Sequence, residues 1–237
     1  MDAPGDVQVW EVDLRDLPWA VCQALLSPAE RARAEAMATS VLQRRTGAAR
    51  ALLRCVLGRY LGLRPFDVIF TVEAHGKPRL HACHGSTLQF NLSHCEDRAL
   101  IAISAHAAVG IDIERLRELP DWRELGRLVF SNRDQDHLQR LPAEAGWRAF
   151  IELWTRKEAV LKATGEGLIS PSLLRLDVYA EDSSPRPIVC SDAENWWTMC
   201  RLTVGGEYAA CLAVQGHLGR LQRFENSTNM LEDLIGA

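Results

Sequence analysis

The chain has 237 residues, is 47% hydrophobic and 24% charged, and carries a formal net charge of −4 at pH 7. This composition is typical of a globular protein with a sizeable core, and the length allows one domain or two small ones. No apolar run approaches the about 18 residues of a membrane-spanning helix, and the first residues show no signal-peptide pattern, so we expect a cytoplasmic protein without membrane contacts. The seven scattered cysteines form no CxxC pair, which favours reduced thiols.

Arginines are concentrated in one segment, although the whole chain is slightly acidic. Seven arginines lie between residues 31 and 59, against the single acid Glu35. A local positive surface of this kind suits a small polyanionic ligand better than a nucleic-acid track, so no nucleic-acid partner is expected. For any one of these arginines, a solvated helix face is the simpler interpretation.

The hydrophobic pattern predicts both helices and strands along the chain. Ser27 and Pro28 indicate the start of one helix, and Gly62 the end of a longer one. Ser131 and Asp134 indicate a capping-box start of a further helix. Strands are expected at 7–14, 66–72, 88–94, 99–104, 107–114, 173–179, 196–204 and 208–214, long helices at 43–61 and 147–163, a loop at 75–80, and a loosely packed tail after about residue 219.

The two halves of the chain resemble each other weakly. Each half has a long helix that ends in a glycine-containing run, at 61–63 and 165–168, and each closes with a strand of small and apolar residues. The offset of roughly 105 to 110 residues is close to one small-domain length. The predicted fold is therefore α+β: a pseudo-twofold pair of similar α/β subdomains, 1–108 and 109–237, with the active site at their interface.

Two acids interrupt a run that otherwise resembles a buried strand, "VGIDIERLR" at 109–117. Because side chains alternate along a strand, Asp112 and Glu114 share one face, while Ile111 and Ile113 share the other. Neighbouring carboxylates repel each other unless a cation offsets their charge. Without metal, we therefore expect one of the two to have a raised pKa.

A third acid, Glu158, lies in the helix predicted at 147–163. With Lys162 four residues later, it could form an ordinary surface pair worth a few tenths of a kcal/mol. Two features argue against this interpretation as the whole explanation. The helix is rich in large apolar residues, and the glycines at 165 and 167 permit a close backbone approach.

The acids and the cations together are typical of a site for a metal ion and phosphate groups. Three carboxylates suit a hard cation such as Mg²⁺, which also binds phosphate oxygens. Lys77, Ser93, His94 and the arginine-rich segment would suit a phosphate-rich substrate and phosphoryl transfer. On the residues alone, this hypothesis and a purely structural role for each residue are about equally good.

Seven segments in order carry a family resemblance: "SPAERARA" (27–34), "RRTGAARALLR" (44–54), "GKP" (76–78), "FNLSH" (90–94), "GIDIE" (110–114), "LWTRKEAVLKATGEGL" (153–168) and "YAACLAV" (208–214). They resemble the 4′-phosphopantetheinyl transferases of the broad-specificity, monomeric, surfactin-synthetase-activating type. "GIDIE" alone is a weak signal, but "GIDIE" followed by "LWTRKEAVLK" is highly specific. The resemblance covers most of the chain.

The resemblance implies a reaction and its participants. The 4′-phosphopantetheine arm of coenzyme A would pass to a serine of an apo acyl or peptidyl carrier protein, with release of adenosine 3′,5′-bisphosphate. The reaction would depend on Mg²⁺, with Mn²⁺ as an alternative, and would be of the holo-[acyl-carrier-protein] synthase type. The enzyme would be a cytoplasmic monomer that activates carriers, including those of secondary-metabolite biosynthesis.

The resemblance also implies a role for each matching residue. The metal ligands would be Asp112, Glu114 and Glu158, with Glu158 also the base for the carrier serine and Asp112, Glu158 and Lys162 the catalytic group. The pyrophosphate would contact Lys157 and Lys162. The 3′-phosphate and adenosine would contact Arg33, Arg45, Lys77, Ser93 and His94.

Three positions depart from the family pattern. Glu30 stands where a lysine is frequent. The contact that this lysine would make with an anion would therefore pass to Arg31 or be absent. Asp134 stands where a glutamate is usual, and we expect it to cap a helix rather than act as an accessory acid. Cys95 stands where a serine is common, and we expect it to serve in packing.

Two other functions use the same residues. A metal-dependent nucleotide hydrolase would need similar acids but no carrier protein. A coenzyme A or nucleotide-binding module would hold a structural ion at the acids and never turn over. The intact "GIDIE" and "LWTRKE" motifs favour an active transferase over both.

Overall fold

The computed structural model describes residues 5–73, 75–167, 172–179, 188–191 and 196–225. Its helices are α1 (Trp19–Leu25), α2 (Pro28–Glu35), α3 (Ser40–Leu61), α4 (Trp122–Val129), α5 (Asn132–Arg140), α6 (Ala143–Thr164) and α7 (Ser172–Arg175). Its strands are β1 (Val7–Asp13), β2 (Phe70–Val72), β3 (Pro78–Leu80), β4 (Gln89–Cys95), β5 (Arg98–Ser104), β6 (Val109–Arg115), β7 (Ile188–Ser191), β8 (Trp196–Leu202), β9 (Tyr208–Gln215) and β10 (Leu221–Glu225). Short 3₁₀ turns lie at Leu14–Asp16, Pro65–Asp67 and Ala82–His84.

The helices begin and end at residues whose chemistry suits those positions. The Ser27 hydroxyl accepts a hydrogen bond from Glu30 N, and the Glu30 carboxylate accepts one from Ser27 N, which closes a capping box at the start of α2. The Thr39 hydroxyl caps α3. Gly62 and Gly165 end α3 and α6 in a left-handed backbone conformation that glycine adopts without strain.

Two four-stranded sheets organise the chain. The strand order is β10-β1-β5-β4 in the first sheet and β6-β9-β8-β7 in the second, with β2 and β3 as a separate hairpin. β10 runs parallel to β1, and the other strand pairs within the two sheets are antiparallel. The edge strands β4 and β6 lie side by side, where the Asn91 side-chain oxygen accepts a hydrogen bond from Ile111 N at 2.9 Å. The two sheets are therefore joined at these edges.

The helices and sheets form layers around three apolar clusters. α3 packs on one face of the first sheet, α6 packs on one face of the second, and the remaining faces of the two sheets share a core. The shared core contains Val7, Val9, Leu100, Ala102, Val109, Ile111, Ile113, Leu202, Val204, Ala210, Leu212 and Val214. Because Ile111 and Ile113 point into this core, Asp112 and Glu114 point to the α6 side of β6, as the alternation predicts.

The predicted α+β class is confirmed, but some predicted elements are wrong. The strand expected at 173–179 is instead the short α7 followed by an irregular segment. Leu176 and Val178 are buried in alternation, which imitates a strand, but the backbone amide of Val178 bonds to the Asp134 side chain instead of to a neighbouring strand. The pseudo-twofold relation and the boundary at 108/109 stay predictions.

Three further segments differ from expectation. The segment at 66–72 is a strand only at its end, since Pro65–Asp67 forms a 3₁₀ turn, and β3 lies within the loop expected at 75–80. Residues 221–225 were expected in a loose tail but form β10. Phe224 stacks on Trp10 with ring centroids 4.6 Å apart, so this strand packs against the first sheet.

Two composition-based expectations can be compared with the described residues. Within them, no helix is both long and apolar enough to cross a membrane. Cys22 and Cys55 are buried free thiols, while Cys83 is free and exposed.

Candidate active site

A cavity of about 570 Å³ lies where the β2–β3 hairpin and β4 face the C-terminal part of α6. It is lined by His75, Gly76, Lys77, Pro78, Asn91, Leu92, Glu158, Leu161, Lys162, Gly165, Glu166 and Gly167. Its walls come from both sides of residue 108, and its size is that of a small-molecule site. Three residues predicted from the sequence line it: Lys77, Glu158 and Lys162.

Gly110 sets how closely α6 approaches β6. A Cβ atom at this position would lie 1.9 Å from Ala159 O and 2.5 Å from Ala163 N, both of which are backbone atoms of α6. Only glycine leaves room for this contact. The close approach brings Lys162, on the next turn of the helix from Glu158, against Asp112 on β6.

Asp112 is the centre of a buried polar network. Lys162 Nζ donates to Asp112 Oδ1 at 2.6 Å and to Ser93 Oγ at 3.0 Å, and Ser93 Oγ donates to Asp112 Oδ1 at 3.0 Å. Asp112 is only 2% exposed, yet its second oxygen, Oδ2, is buried without a hydrogen-bond partner in the described part of the chain. A buried acceptor in this state is costly unless something else binds it.

The two other acids lie in the electric field of Asp112. Burial raises the pKa of Glu114, and the negative charge of Asp112 raises it further. Burial raises the pKa of Glu158 to about 7, with Lys162 opposing the shift and Asp112 and Glu114 adding to it. The expectation that one carboxylate of the Asp112–Glu114 pair has a raised pKa is thus met by Glu114.

The three acids do not form a closed cage. Among the described residues, no three histidine, cysteine or acidic side chains are grouped closely enough to hold a metal ion by themselves. Lys162 contacts Asp112 directly, and Glu114 lies 3.9 Å from the Cys95 thiol. Cys95 therefore belongs to the surroundings of the acids, in addition to the packing role that we expected.

Lys77 enters the cavity from the β2–β3 hairpin, across from Glu158 and Lys162 on α6. Its Nζ donates to Ala163 O at 2.6 Å, near the end of α6. Burial lowers the pKa of Lys77 to about 8. The turn at Gly165 and Gly167 packs against the segment that carries Lys77, with His75 beside Gly167. The glycine-rich exit from α6 thus forms part of the cavity wall.

His94 and Arg45 lie beyond Ser93, toward the end of β4. His94 is exposed at the surface, but partial desolvation, followed by the charges of Lys162 and Arg45, lowers its pKa. Arg45 Nε and Nη2 donate to the two carboxylate oxygens of Asp97, both at 2.8 Å. The sequence motifs gave no sign of this partner.

Lys157 does not reach the cavity, contrary to the role that the resemblance implies. It is fully buried, its Nζ lies 3.5 Å from Asp134 Oδ2, and it faces the Phe130 ring. Asp134 Oδ1 accepts hydrogen bonds from Val178 N and Tyr179 N at 3.1 and 2.9 Å. Asp134 N donates to the Ser131 cap, but the Asp134 carboxylate joins α6 to 176–179, so its expected capping role is only partly right.

Arg33 lies at a second cavity of about 330 Å³, beside α2 and β2. Arg50 and Arg54 also line it, and Glu30 bonds to Arg50 Nε at 2.6 Å and to Arg54 Nε at 2.7 Å. Glu30 therefore offsets charge in this cavity. The i, i+4 spacing of the two arginines could have identified them as one face of α3.

Comparison with known proteins identifies the family. The sequence model described as the 4′-phosphopantetheinyl transferase superfamily matches residues 108–213, which contain β6, α6 and the Asp112, Glu114, Glu158 and Lys162 positions. Together with the relatives described next, this match shows that the chain belongs to the 4′-phosphopantetheinyl transferase superfamily.

The relatives include a protein similar over nearly the whole chain. The 4′-phosphopantetheinyl transferase HetI of Nostoc sp. (strain PCC 7120) is 36% identical over 215 residues, which span 89% of this chain and 88% of HetI. AcpT of Salmonella typhi, also named a 4′-phosphopantetheinyl transferase, is 40% identical over 112 residues, 47% of this chain and 56% of AcpT. The 4′-phosphopantetheinyl transferase psf-1 of Bacillus pumilus is 34% identical over 139 residues, 59% of this chain and 58% of psf-1.

Proposed function

We propose that this protein transfers the 4′-phosphopantetheine arm of coenzyme A to a serine of an acyl or peptidyl carrier protein. The observation that carries the proposal is the Asp112–Lys162–Ser93 network at the rim of a ligand-sized cavity, formed by the motifs that the superfamily match covers in part. The names of the relatives support the same reaction. The protein would act as a monomer in the cytoplasm.

The donor set fits a magnesium ion at the acids. Mg²⁺ needs only one or two carboxylates, because waters and ligand phosphates complete its six positions. Asp112 Oδ2 is a buried oxygen that lacks a partner in the described structure. Glu114 and Glu158 lie close enough to Asp112 for its charge to raise the pKa of each. Asp112, Glu114 and Glu158 would hold Mg²⁺, or Mn²⁺ in its place, and the bound metal would offset negative charge on the pyrophosphate.

The lysines of the cavity would bind the pyrophosphate of coenzyme A. Lys162 is 31% exposed and Lys77 lines the opposite wall, so both ammonium groups can meet an anion that enters between them. Ser93 and His94 would contact the nucleotide end of the ligand. The lysines would stabilise the charge that develops on the leaving phosphate group.

Glu158 would take the proton from the carrier serine, directly or through a water molecule. The serine oxygen would form a new bond to the β-phosphorus. The bond from that phosphorus to the bridging oxygen would break, and adenosine 3′,5′-bisphosphate would leave with the electron pair. The cavity would hold the two reactants in line, which removes much of the entropic barrier.

The test is a mass measurement on an apo carrier protein incubated with this enzyme, coenzyme A and Mg²⁺. We expect the carrier to gain one phosphopantetheine arm, and we expect the gain to be abolished by a chelator. In Glu158→Gln the rate should fall by about 10²- to 10⁴-fold, as for a lost general base.

Glu152→Gln is the matched control, because Glu152 lies on the same helix but pairs with the exposed Arg201 at 3.2 Å. Its rate should stay near that of the unmodified protein. No transfer to carriers of fatty-acid, polyketide and peptide systems, with coenzyme A still bound, would contradict the proposal and favour a binding module. Release of phosphate from nucleotides without any carrier would favour a hydrolase.

A further inference from the structure

A row of polar side chains, Ser93, His94 and Arg45, leads from Lys162 in the cavity along β4 to the β4–β5 turn. Lys162 contacts Ser93, and both Lys162 and Arg45 lower the pKa of the next residue, His94. Arg45 reaches the turn itself, where it bonds to Asp97. A strand rises about 3.3 Å per residue, so the row extends from Ser93 by roughly 10 Å.

This row matches the anionic end of coenzyme A if the pyrophosphate lies at Lys162. The ribose of coenzyme A carries a third phosphate a few bonds from the pyrophosphate, and in this placement it would lie toward His94 and Arg45. Dephospho-coenzyme A has the same pyrophosphate but lacks the third phosphate. Coenzyme A and dephospho-coenzyme A therefore differ only in the phosphate that would lie toward His94 and Arg45.

Arg45 already has an anionic partner inside the protein. Asp97 accepts from both Nε and Nη2, which is the edge of a guanidinium that best matches a phosphate. The pair is partly covered, with side chains 22% and 32% exposed. The Asp97 carbonyl also accepts a hydrogen bond from Leu14 N at 2.7 Å, which holds the turn in place.

We propose that Asp97 sets the selectivity between coenzyme A and dephospho-coenzyme A by competing with the 3′-phosphate for Arg45. A phosphate at Arg45 must displace the Asp97 carboxylate or bind beside a like charge. The 3′-phosphate therefore adds less affinity than a free arginine at this position would supply. The inference rests on the proposed coenzyme A site and assigns Asp97 as a specificity-determining residue.

The test compares the Kd of dephospho-coenzyme A with the Kd of coenzyme A by calorimetry in the presence of Mg²⁺. In Asp97→Asn, the ratio of the two Kd values should rise about three- to tenfold, because one like charge beside the phosphate is removed. Affinity for dephospho-coenzyme A should stay within about twofold of the unmodified protein, since that ligand does not reach Arg45. Asp97→Glu, which keeps the charge, should leave the ratio nearly unchanged.

Two further variants make the result decisive. Asp97→Ser is a second neutral substitution suited to a turn, and it should reproduce the increase if Asp97→Asn does not fold. Asp67→Asn is the matched control, because Asp67 bonds in the same two-pronged way to Arg64 at 2.7 and 3.2 Å but lies in the Pro65–Asp67 turn instead of the β4–β5 turn. It should not change the ratio.

The outcomes separate this inference from the proposed function. An unchanged ratio in both neutral variants, or equal changes for the two ligands, would overturn the assignment of Asp97. The binding measurement needs neither a carrier nor turnover. A raised ratio would therefore support the assignment even if no carrier were modified, a result that would reject only the transfer reaction.

Discussion

Helix α6 carries two lysines that each meet an aspartate, in opposite surroundings. Lys157 and Asp134 are both 0% exposed, with Nζ 3.5 Å from Oδ2. The Lys162 side chain is 31% exposed, the Asp112 side chain is 3% exposed, and Lys162 Nζ lies 2.6 Å from Asp112 Oδ1. Five residues along a helix correspond to a rotation of about 140°, so the two lysines point to different sides of α6.

The surroundings of each pair decide what the pair can do. Asp134 is enclosed by two backbone amides from 178 and 179, and the Phe130 ring lies 5.4 Å from the Lys157 ammonium. That pair can only hold elements together. The Asp112–Lys162 pair borders the cavity, which Lys162 lines with a partly exposed side chain, so it can still meet a ligand. Similar residue types are thus enclosed in one place and open to a ligand in the other.

The largest effect is expected from breaking the buried Lys157–Asp134 pair. Lys157→Met keeps the approximate length of the side chain but leaves the Asp134 charge buried. We expect the free energy of unfolding to fall by about 3–5 kcal/mol, as measured by urea denaturation. The double variant Lys157→Met with Asp134→Asn should recover part of this loss.

Lys162→Met provides the comparison. Water reaches this pair through the cavity and Ser93 keeps its hydrogen bond to Asp112, so the loss should be about 1 kcal/mol or less. Transfer activity should nevertheless fall by about 10²-fold, because a cation that faces the phosphate is lost. Equal losses of stability in the two variants would contradict the distinction between the pairs.

A smaller effect is expected from moving α6 away from β6. In Gly110→Ala, the new methyl group meets two backbone atoms of α6 that cannot shift independently. We expect a loss of about 2–3 kcal/mol and a lower transfer rate, because Lys162 is drawn away from Asp112. Thermal unfolding and the carrier mass measurement check both parts.

Gly126→Ala is the control for this substitution. A Cβ atom there would meet only side chains, the nearest at 3.5 Å from Phe130, within helix α4. Alanine should stabilise that helix by about 0.5–1 kcal/mol. If both glycine variants unfolded at the same temperature, the close contact at Gly110 would not matter for stability.

An effect smaller than that of Gly110→Ala is expected from pH, through Glu158 in the cavity. The folded-state pKa of Glu158, about 7, lies above its ordinary value of 4.5, so the folded protein binds a proton that the unfolded chain has already lost. This contribution to stability is fully present below pH 4.5 and disappears as the pH rises through about 7. With a chelator present, we expect the free energy of unfolding to fall by about 1–2 kcal/mol relative to Glu158→Gln between pH 5 and pH 8.

The comparison with Glu158→Gln isolates this residue, because the shifted pKa of Glu114 is common to both proteins. Added Mg²⁺ at pH 8 should raise the melting temperature of the unmodified protein more than that of the variant. A stability difference between the two proteins that does not vary with pH would show that Glu158 has an ordinary pKa.

Local signals in the sequence predicted much of the site. The alternation in "VGIDIERLR" correctly placed the two isoleucines in the core and the two acids on the opposite face. Glycines marked the ends of α3 and α6 because a left-handed residue is needed there. Three of the residues predicted for the site, Lys77, Glu158 and Lys162, line one cavity.

Contacts between distant residues were not predictable in this way. Asp97 is 52 positions from Arg45, and Asp134 is 44 positions from Val178, so neither pairing leaves a periodic pattern in the sequence. Lys157 and Glu158 are adjacent in one motif, and only the packing of α6 shows that the lysine is buried while the glutamate faces the cavity. Motif spacing gives residue types, but tertiary packing decides which of them meet.

The parallel pairing of β10 with β1 has a consequence for how the chain is made. On the ribosome, β1 emerges more than 200 residues before its partner at 221–225. Until then, one edge of β1 has exposed backbone groups that can pair with other strands. The first sheet is therefore complete only after residue 225 has been made, and nascent chains that stall before residue 221 should be the ones most in need of a chaperone.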